Sequence, residues 1–114
     1  MKLNDLGQVI ATRVLALGGG AQVTIRLGRP ERFSDSEDYY CPYEIRGMDA
    51  QHARYAGGVD SVQALDLALK AIGAILYTSR ECQAKQLTWN GSEDLGFPVP
   101  DSLRDLLPGT NQHK

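Results

Sequence analysis

Residues 57–77 constrain the fold of this chain more than any other segment. The run reads GGVDSVQALDLALKAIGAILY and combines a helix start with apolar residues spaced by three and four. Asp60 or Ser61 suits the N-cap, because a short side-chain oxygen accepts the free N–H groups of the first turn. The pattern predicts one long helix that ends near residues 78–82. Its predicted core stripe is Val62, Leu65, Leu69, Ile72 and Leu76, widened by Ala64, Ala68, Ala71 and Ala74.

Ahead of the helix, apolar and polar residues alternate, which is typical of a strand with one buried face and one solvent-exposed face. In AQVTIRL (21–27), Val23, Ile25 and Leu27 fall on one face. The preceding run QVIATRVLAL (8–17) is separated from it by three glycines, which supply the positive φ angles of a tight connection. The two runs predict a β-hairpin.

The segment YYCPYEIRG (39–47) predicts a third strand with Cys41, Tyr43 and Ile45 on one face. Pro42 has no N–H to donate, so it predicts that this strand lies at a sheet edge or is bulged at that point. QHARYAG (51–57) predicts a fourth strand.

After the helix the chain becomes irregular. QLTWNG (86–91) predicts a short fifth strand that ends in an Asn-Gly turn. EDLGFPVP (93–100) is expected to be extended, because a residue before proline avoids the helical region. DSLRDLL (101–107) predicts a short capped helix, or one turn of it, before Pro108-Gly109, and residues 110–114 predict a flexible tail.

These elements predict an α+β fold. Short connections favour pairing of successive strands, which gives an antiparallel meander of four to five strands. The long helix packs across the apolar face of that meander, and a short helix or turn follows near the C-terminus. We expect residues 1–109 to form a single domain.

Composition excludes several functions. The 114 residues carry 12 Lys and Arg against 14 Asp and Glu, a net charge of -2, whereas nucleic-acid binding needs clustered basic residues. No apolar run resembles a signal peptide or a membrane span. We therefore expect a cytoplasmic protein with reduced thiols that binds neither nucleic acid nor membrane.

The polar motifs do not match known chemical signatures. The triple glycine is followed by a strand and not by a helix, so a phosphate loop is not expected. The acidic loop from Glu31 to Asp38 lacks the central glycine and closing acid of a calcium loop. We interpret it as solvated, and its role as a charged partner surface stays open.

The sulfur and imidazole groups also favour structural roles. Cys41, Cys82, His52 and His113 lack the close ligand pairs of a structural zinc site. We expect Cys41 to be a buried thiol, and we expect no metal or cofactor. His52 has Asp49, Asp60 and Tyr55 near it in sequence, which suits a general base, but an exposed strand histidine is the preferred interpretation.

Two segments resemble a family of small uncharacterised bacterial proteins, a domain of unknown function. The first is the helix start GVDSVQAL (58–65), and the second is WNG (89–91) with LGFP (95–98). YCPYEIRG (40–47) also resembles the strand of that family before the helix. The resemblance covers most of residues 20–100 and implies the same fold, without implying an activity.

Two functions remain open from the sequence. The first is a non-enzymatic bacterial interaction module, an accessory or immunity-type partner of another protein or a homodimer. Tyr39 and Tyr40 support it, because adjacent strand residues point to opposite faces and one must face solvent. The second is a ligand-binding or catalytic domain whose pocket lies between the helix N-terminus and residues 89–97. The polar side chains expected to line that pocket are Asp60, Gln63, Trp89 and Asp94.

Overall fold

The computed structural model describes residues 6–48 and 52–109, with only the backbone of His52. In chain order the strands are β1 (Val9–Leu17), β2 (Ala21–Gly28), β3 (Glu31–Arg32), β4 (Tyr39–Arg46), β5 (His52–Gly58) and β6 (Leu87–Thr88). Helix α1 (Ser61–Tyr77) and helix α2 (Arg80–Gln83) lie between β5 and β6, and a 3₁₀ helix spans Asp101–Leu106. The predicted α+β fold, an antiparallel sheet packed by one long helix, is confirmed.

The sheet is built from the predicted meander. Strands β1, β2, β4 and β5 pair antiparallel in that order, and β6 pairs with the far side of β1. The predicted hairpin is confirmed, since Leu17 pairs with Ala21 across the glycines. Gly19 and Gly20 have φ angles of 84° and 86°, a region that side chains disfavour. The two-residue strand β3 continues the path of β2 beside β4.

The predicted edge position of Pro42 is wrong. Strand β4 lies inside the sheet, and Pro42 pairs with Tyr55 of β5. On the other side of β4, β2 pairs with residues 43–46 and β3 with residues 39 and 40. The ladder on that side is therefore interrupted beside Pro42, between the end of β2 at Gly28 and the start of β3 at Glu31. This gap accommodates a residue without an N–H inside a sheet.

Helix α1 packs over β4 and β5 through a face that is rotated from the predicted stripe. Ala64 and Ala68 are fully buried, whereas Val62, predicted to be core, is 73% exposed. The small alanine side chains let the helix approach the sheet closely, so they form the centre of the contact. Leu65 and Leu69 lie at its margin, while Ile72 and Leu76 are buried as predicted.

The chain after α1 covers the rest of the inner face. Leu95, Phe97 and Val99 are buried in the same core as α1 and the sheet. The predicted Asn-Gly turn is confirmed, with Trp89 and Ser92 exchanging backbone hydrogen bonds of 2.8 and 2.9 Å. The predicted cap of the last helix is wrong: this 3₁₀ helix starts after Pro100 without a side-chain cap. The predicted tail lies outside the described residues.

Candidate functional site

A cleft of about 260 Å³ opens on the inner face of the sheet, between α1 and residues 96–98. It exists because α1 packs chiefly over β4 and β5 and leaves part of β1 and β2 to the C-terminal segment. Its apolar walls are Ile25, Leu27, Leu69, Ile72, Phe97 and Pro98. Arg13 is the charged residue among the described side chains that line it.

Arg13 is fixed against two aromatic rings. Its guanidinium carbon lies 3.7 Å from the centroid of the Trp89 ring and 5.0 Å from that of Phe97. Its Nη1 donates to the carbonyl oxygens of Leu95 and Gly96 at 3.2 and 3.1 Å. Among the described residues, no carboxylate forms an ion pair with Arg13. The cleft therefore has one positive charge, which is held in place and not neutralised by a described neighbour.

Gly96 makes this arrangement sterically feasible. A Cβ at this position would lie 2.5 Å from Trp89 Cζ3 and 2.6 Å from Arg13 Nη1. Its φ angle of 79° is also one that L-residues rarely adopt. A side chain at residue 96 would displace Arg13 or Trp89.

Asp94 anchors the same segment to the end of α1. Its Oδ1 accepts hydrogen bonds from the backbone N–H of Gly96 at 3.0 Å and from the hydroxyl of Tyr77 at 3.4 Å. The Tyr77 hydroxyl in turn accepts from the N–H of Leu95 at 2.8 Å. Burial is the main cause that raises the pKa of Tyr77 above its usual value. Asp94 thus holds the loop beside Trp89 and does not line the cleft.

Asp60 and Gln63 lie at the opposite end of α1. Asp60 Oδ1 accepts from the N–H of Gln63, and Gln63 Oε1 accepts from the N–H of Val59, both at 2.8 Å. Asp60 is therefore the N-cap of α1, as expected, and Gln63 ties the first turn back to the residue before the cap. The 17 residues of α1 span ~25 Å at 1.5 Å per residue, so these caps are far from Asp94 at the other end. The structure does not bring the four candidate pocket residues together.

The outer face of the sheet carries the second candidate surface. Tyr39 packs against the core, and Tyr40 lies on the opposite face, as their adjacency predicts. Phe33, Tyr40 and Tyr55, which we call the aromatic cluster, contact one another with ring centroids 5.0–5.8 Å apart. Tyr55 is 39% exposed, and none of the described helices packs on this face. The sequence indicated only that one of Tyr39 and Tyr40 faces solvent, and it did not indicate Phe33 or Tyr55, which join Tyr40 through sheet pairing.

Charges surround the aromatic cluster. The side chains of Asp35, Glu37 and Asp38 are exposed, and none forms an ion pair with another described residue. Further along the same face, the buried carboxylate of Glu44 lies 2.8 Å from Arg46 Nη2 and 3.5 Å from Arg26 Nε. The loop therefore contributes net negative charge beside the cluster, while Glu44 and its two arginine partners together carry a net positive charge.

The remaining sequence candidates have structural roles where the structure describes them. Cys41 is a buried free thiol, as predicted, and burial raises its pKa to about 11. Within residues 6–48 and 52–109, no group of His, Cys, Asp and Glu is arranged to hold a metal ion. The side chain of His52, Asp49 and His113 lie outside the described residues. None of the described helices has the length and apolarity needed to cross a bilayer.

The family model "Domain of unknown function (DUF6968)" matches residues 11–99, so the chain belongs to this family. This confirms the resemblance to an uncharacterised family. The matched region contains the cleft and the aromatic cluster. The comparisons with curated proteins and with solved structures found no match.

Proposed function

We propose that this member of the DUF6968 family is a non-enzymatic, cytoplasmic bacterial interaction module that binds a protein partner through the outer face of its sheet. Its partner is another protein, as for an accessory or immunity-type protein, or a second copy of the chain. We also propose that the GVDSVQAL helix start and the WNG and LGFP segments are sequence motifs of the family. The two free cysteines support a reducing compartment.

The aromatic cluster is the observation that carries this proposal. Tyrosine is enriched at the energetic centre of protein interfaces, and aromatic rings including phenylalanine are enriched in interfaces generally. Here three of them contact one another on a face without a described helix. Tyr55 remains 39% exposed despite its two ring neighbours. Burying these rings under a partner removes apolar area from water at about 25 cal/mol per Å².

The acidic loop supports a partner with basic residues around an apolar centre. Asp35, Glu37 and Asp38 are exposed beside Phe33 in the loop that leads from β3 to β4. Complementary charge at the rim of an interface accelerates association and selects the partner. We therefore expect the affinity to fall as the salt concentration rises.

Site-specific photo-crosslinking tests the proposal. A photoreactive residue replacing Tyr55 is expected to capture one defined protein, or the chain itself, in cells of the host. The matched control replaces Leu67, which is 38% exposed on α1. With the captured partner purified, Tyr55→Ala should weaken binding at least about tenfold, and Leu67→Ala should not. Equal capture from both positions, together with a monomer in sedimentation, contradicts the proposal.

A further inference from the structure

We propose that the cleft beside Arg13 binds a small monocarboxylic acid with an apolar ring or branched chain. This site is on the opposite face of the sheet from the aromatic cluster. The inference is therefore independent of the proposed interaction surface.

The cleft has the size and lining of a site for a small apolar group. A cavity of about 150 Å³ lined by Leu, Ile and Phe accommodates benzene. The present cleft of about 260 Å³ has room for a ring and a short carboxylate arm. Ile25 and Ile72 are nearly or fully buried and form rigid walls, while Leu69 is only partly buried. An apolar ligand there replaces water against a preformed surface.

The orientation of Arg13 explains why the ligand is an anion. The carbonyls of Leu95 and Gly96 occupy Nη1. The guanidinium edge formed by Nε and Nη2 makes no hydrogen bond with a described residue. That edge offers two parallel N–H donors, the geometry that carboxylates bind in a bidentate way. A single guanidinium without a described lysine or histidine in the cleft suits one carboxylate.

The site is also held in its binding geometry before any ligand arrives. Trp89 stacks on the Arg13 guanidinium at 3.7 Å, and two carbonyls fix its orientation. Asp94 and Tyr77 hold the loop that supplies those carbonyls. Little side-chain entropy then remains to be lost on binding, which raises affinity.

The test is a titration of the ¹⁵N-labelled full chain followed by amide chemical shifts. The probes are phenylacetate, 3-methylbutanoate and the uncharged phenylacetamide. At least one acid is expected to give saturable shifts at residues 11–13, 69–72 and 96–98. Phenylacetamide should bind at least about tenfold more weakly than phenylacetate, because charged hydrogen bonds contribute more than neutral ones.

Two variants and one control distinguish the contribution of the Arg13 charge to binding from the contribution of the apolar walls. Arg13→Gln should abolish the preference for phenylacetate over phenylacetamide. Ala11→Phe places a ring in the cleft from an exposed position and should abolish binding of all three probes. Arg104→Gln removes an arginine that is 70% exposed and should leave the affinities unchanged.

Comparing phenylacetate with phenylacetamide on the wild-type protein tests the inference even if Arg13→Gln does not fold. Equal affinity for phenylacetate and phenylacetamide overturns it. Saturable shifts that map away from the cleft, or no saturable shift with either acid, overturn it as well.

Discussion

The hydroxyl of Tyr77, the last residue of α1, accepts a 2.8 Å hydrogen bond from the buried backbone N–H of Leu95. The contact joins the helix to a segment 18 residues later in the chain. It fixes the loop whose carbonyls hold Arg13, so it connects the helix end to the cleft. Its contribution to the free energy of unfolding can be measured.

Tyr77→Phe should lower the free energy of unfolding by about 1–3 kcal/mol, because the buried N–H of Leu95 loses its acceptor. The measurement is urea unfolding, together with hydrogen exchange at the Leu95 amide, which should lose protection. Tyr55→Phe, at an exposed ring, is the matched control and should change stability by less than about 0.5 kcal/mol. Equal effects of the two variants would contradict the assigned role of the hydroxyl.

Gly73→Ala should destabilise the protein although alanine is the better helix former. A Cβ at Gly73 would collide with the carbonyl oxygen of Pro98, where the C-terminal segment crosses α1. We expect a loss of about 1–3 kcal/mol from overpacking. Gly18→Ala is the control, because its Cβ would meet Gln86 at an ordinary 3.6 Å and its φ is not positive. The measurement is thermal unfolding of both variants. If Gly73→Ala is as stable as wild type, the C-terminal segment moves away from α1 and relieves the clash.

Stability should fall as the pH rises from 9 towards 11 because of Cys41. Burial raises the pKa of its thiol from 9.0 to about 11, so the unfolded chain loses this proton first. The contribution is fully present below pH 9 and is lost as the pH rises through the folded pKa. By linkage, two pKa units correspond to about 2–3 kcal/mol at most.

The difference between wild type and Cys41→Ala isolates this contribution. Burial also raises the pKa values of Tyr43 and Tyr77, so the wild-type profile alone is not sufficient. Urea unfolding at a series of pH values should show that wild type loses stability relative to Cys41→Ala between pH 9 and 11. Parallel profiles for the two proteins would refute the assignment.

Asp60→Ala should cost about 1 kcal/mol, because it removes the acceptor for the first turn of α1. Asp66→Ala is the matched control on the same helix: Asp66 only pairs with Lys70 at 3.1 Å, so a change below about 0.5 kcal/mol is expected. A double-mutant cycle with Gln63→Ala should show coupling, since the two side-chain hydrogen bonds close the same chain reversal before α1. Additive effects would mean that the two hydrogen bonds act independently.

The local patterns determined most of the fold. Alternation in residues 21–27 and 39–47 predicted which strand residues face the core, and the glycines at 18–20 predicted the hairpin. The signals around Asp60 predicted where α1 begins. These features depend on the chain's own backbone geometry and on residues a few positions apart, which is why a sequence contains them.

The candidate sites were not predictable in the same way. The sequence singled out Asp60, Gln63, Trp89 and Asp94 as one pocket, and the structure leaves the first two at the far end of α1. Nothing in the local sequence marks Arg13, because an arginine in a strand acquires its role only when Trp89 stacks on it in the folded chain. Phe33 and Tyr55 join Tyr40 only through the register in which β3, β4 and β5 pair.

By itself, the sequence determined the element types, the hairpin, the start of α1 and the inward faces of β2 and β4, since these depend on local spacing. The tertiary structure decided that Pro42 lies inside the sheet, that α1 packs through Ala64 and Ala68 instead of Val62, and that Arg13 faces the cleft. Those outcomes depend on how closely two surfaces approach, and that distance is set by side chains from segments that meet only after folding.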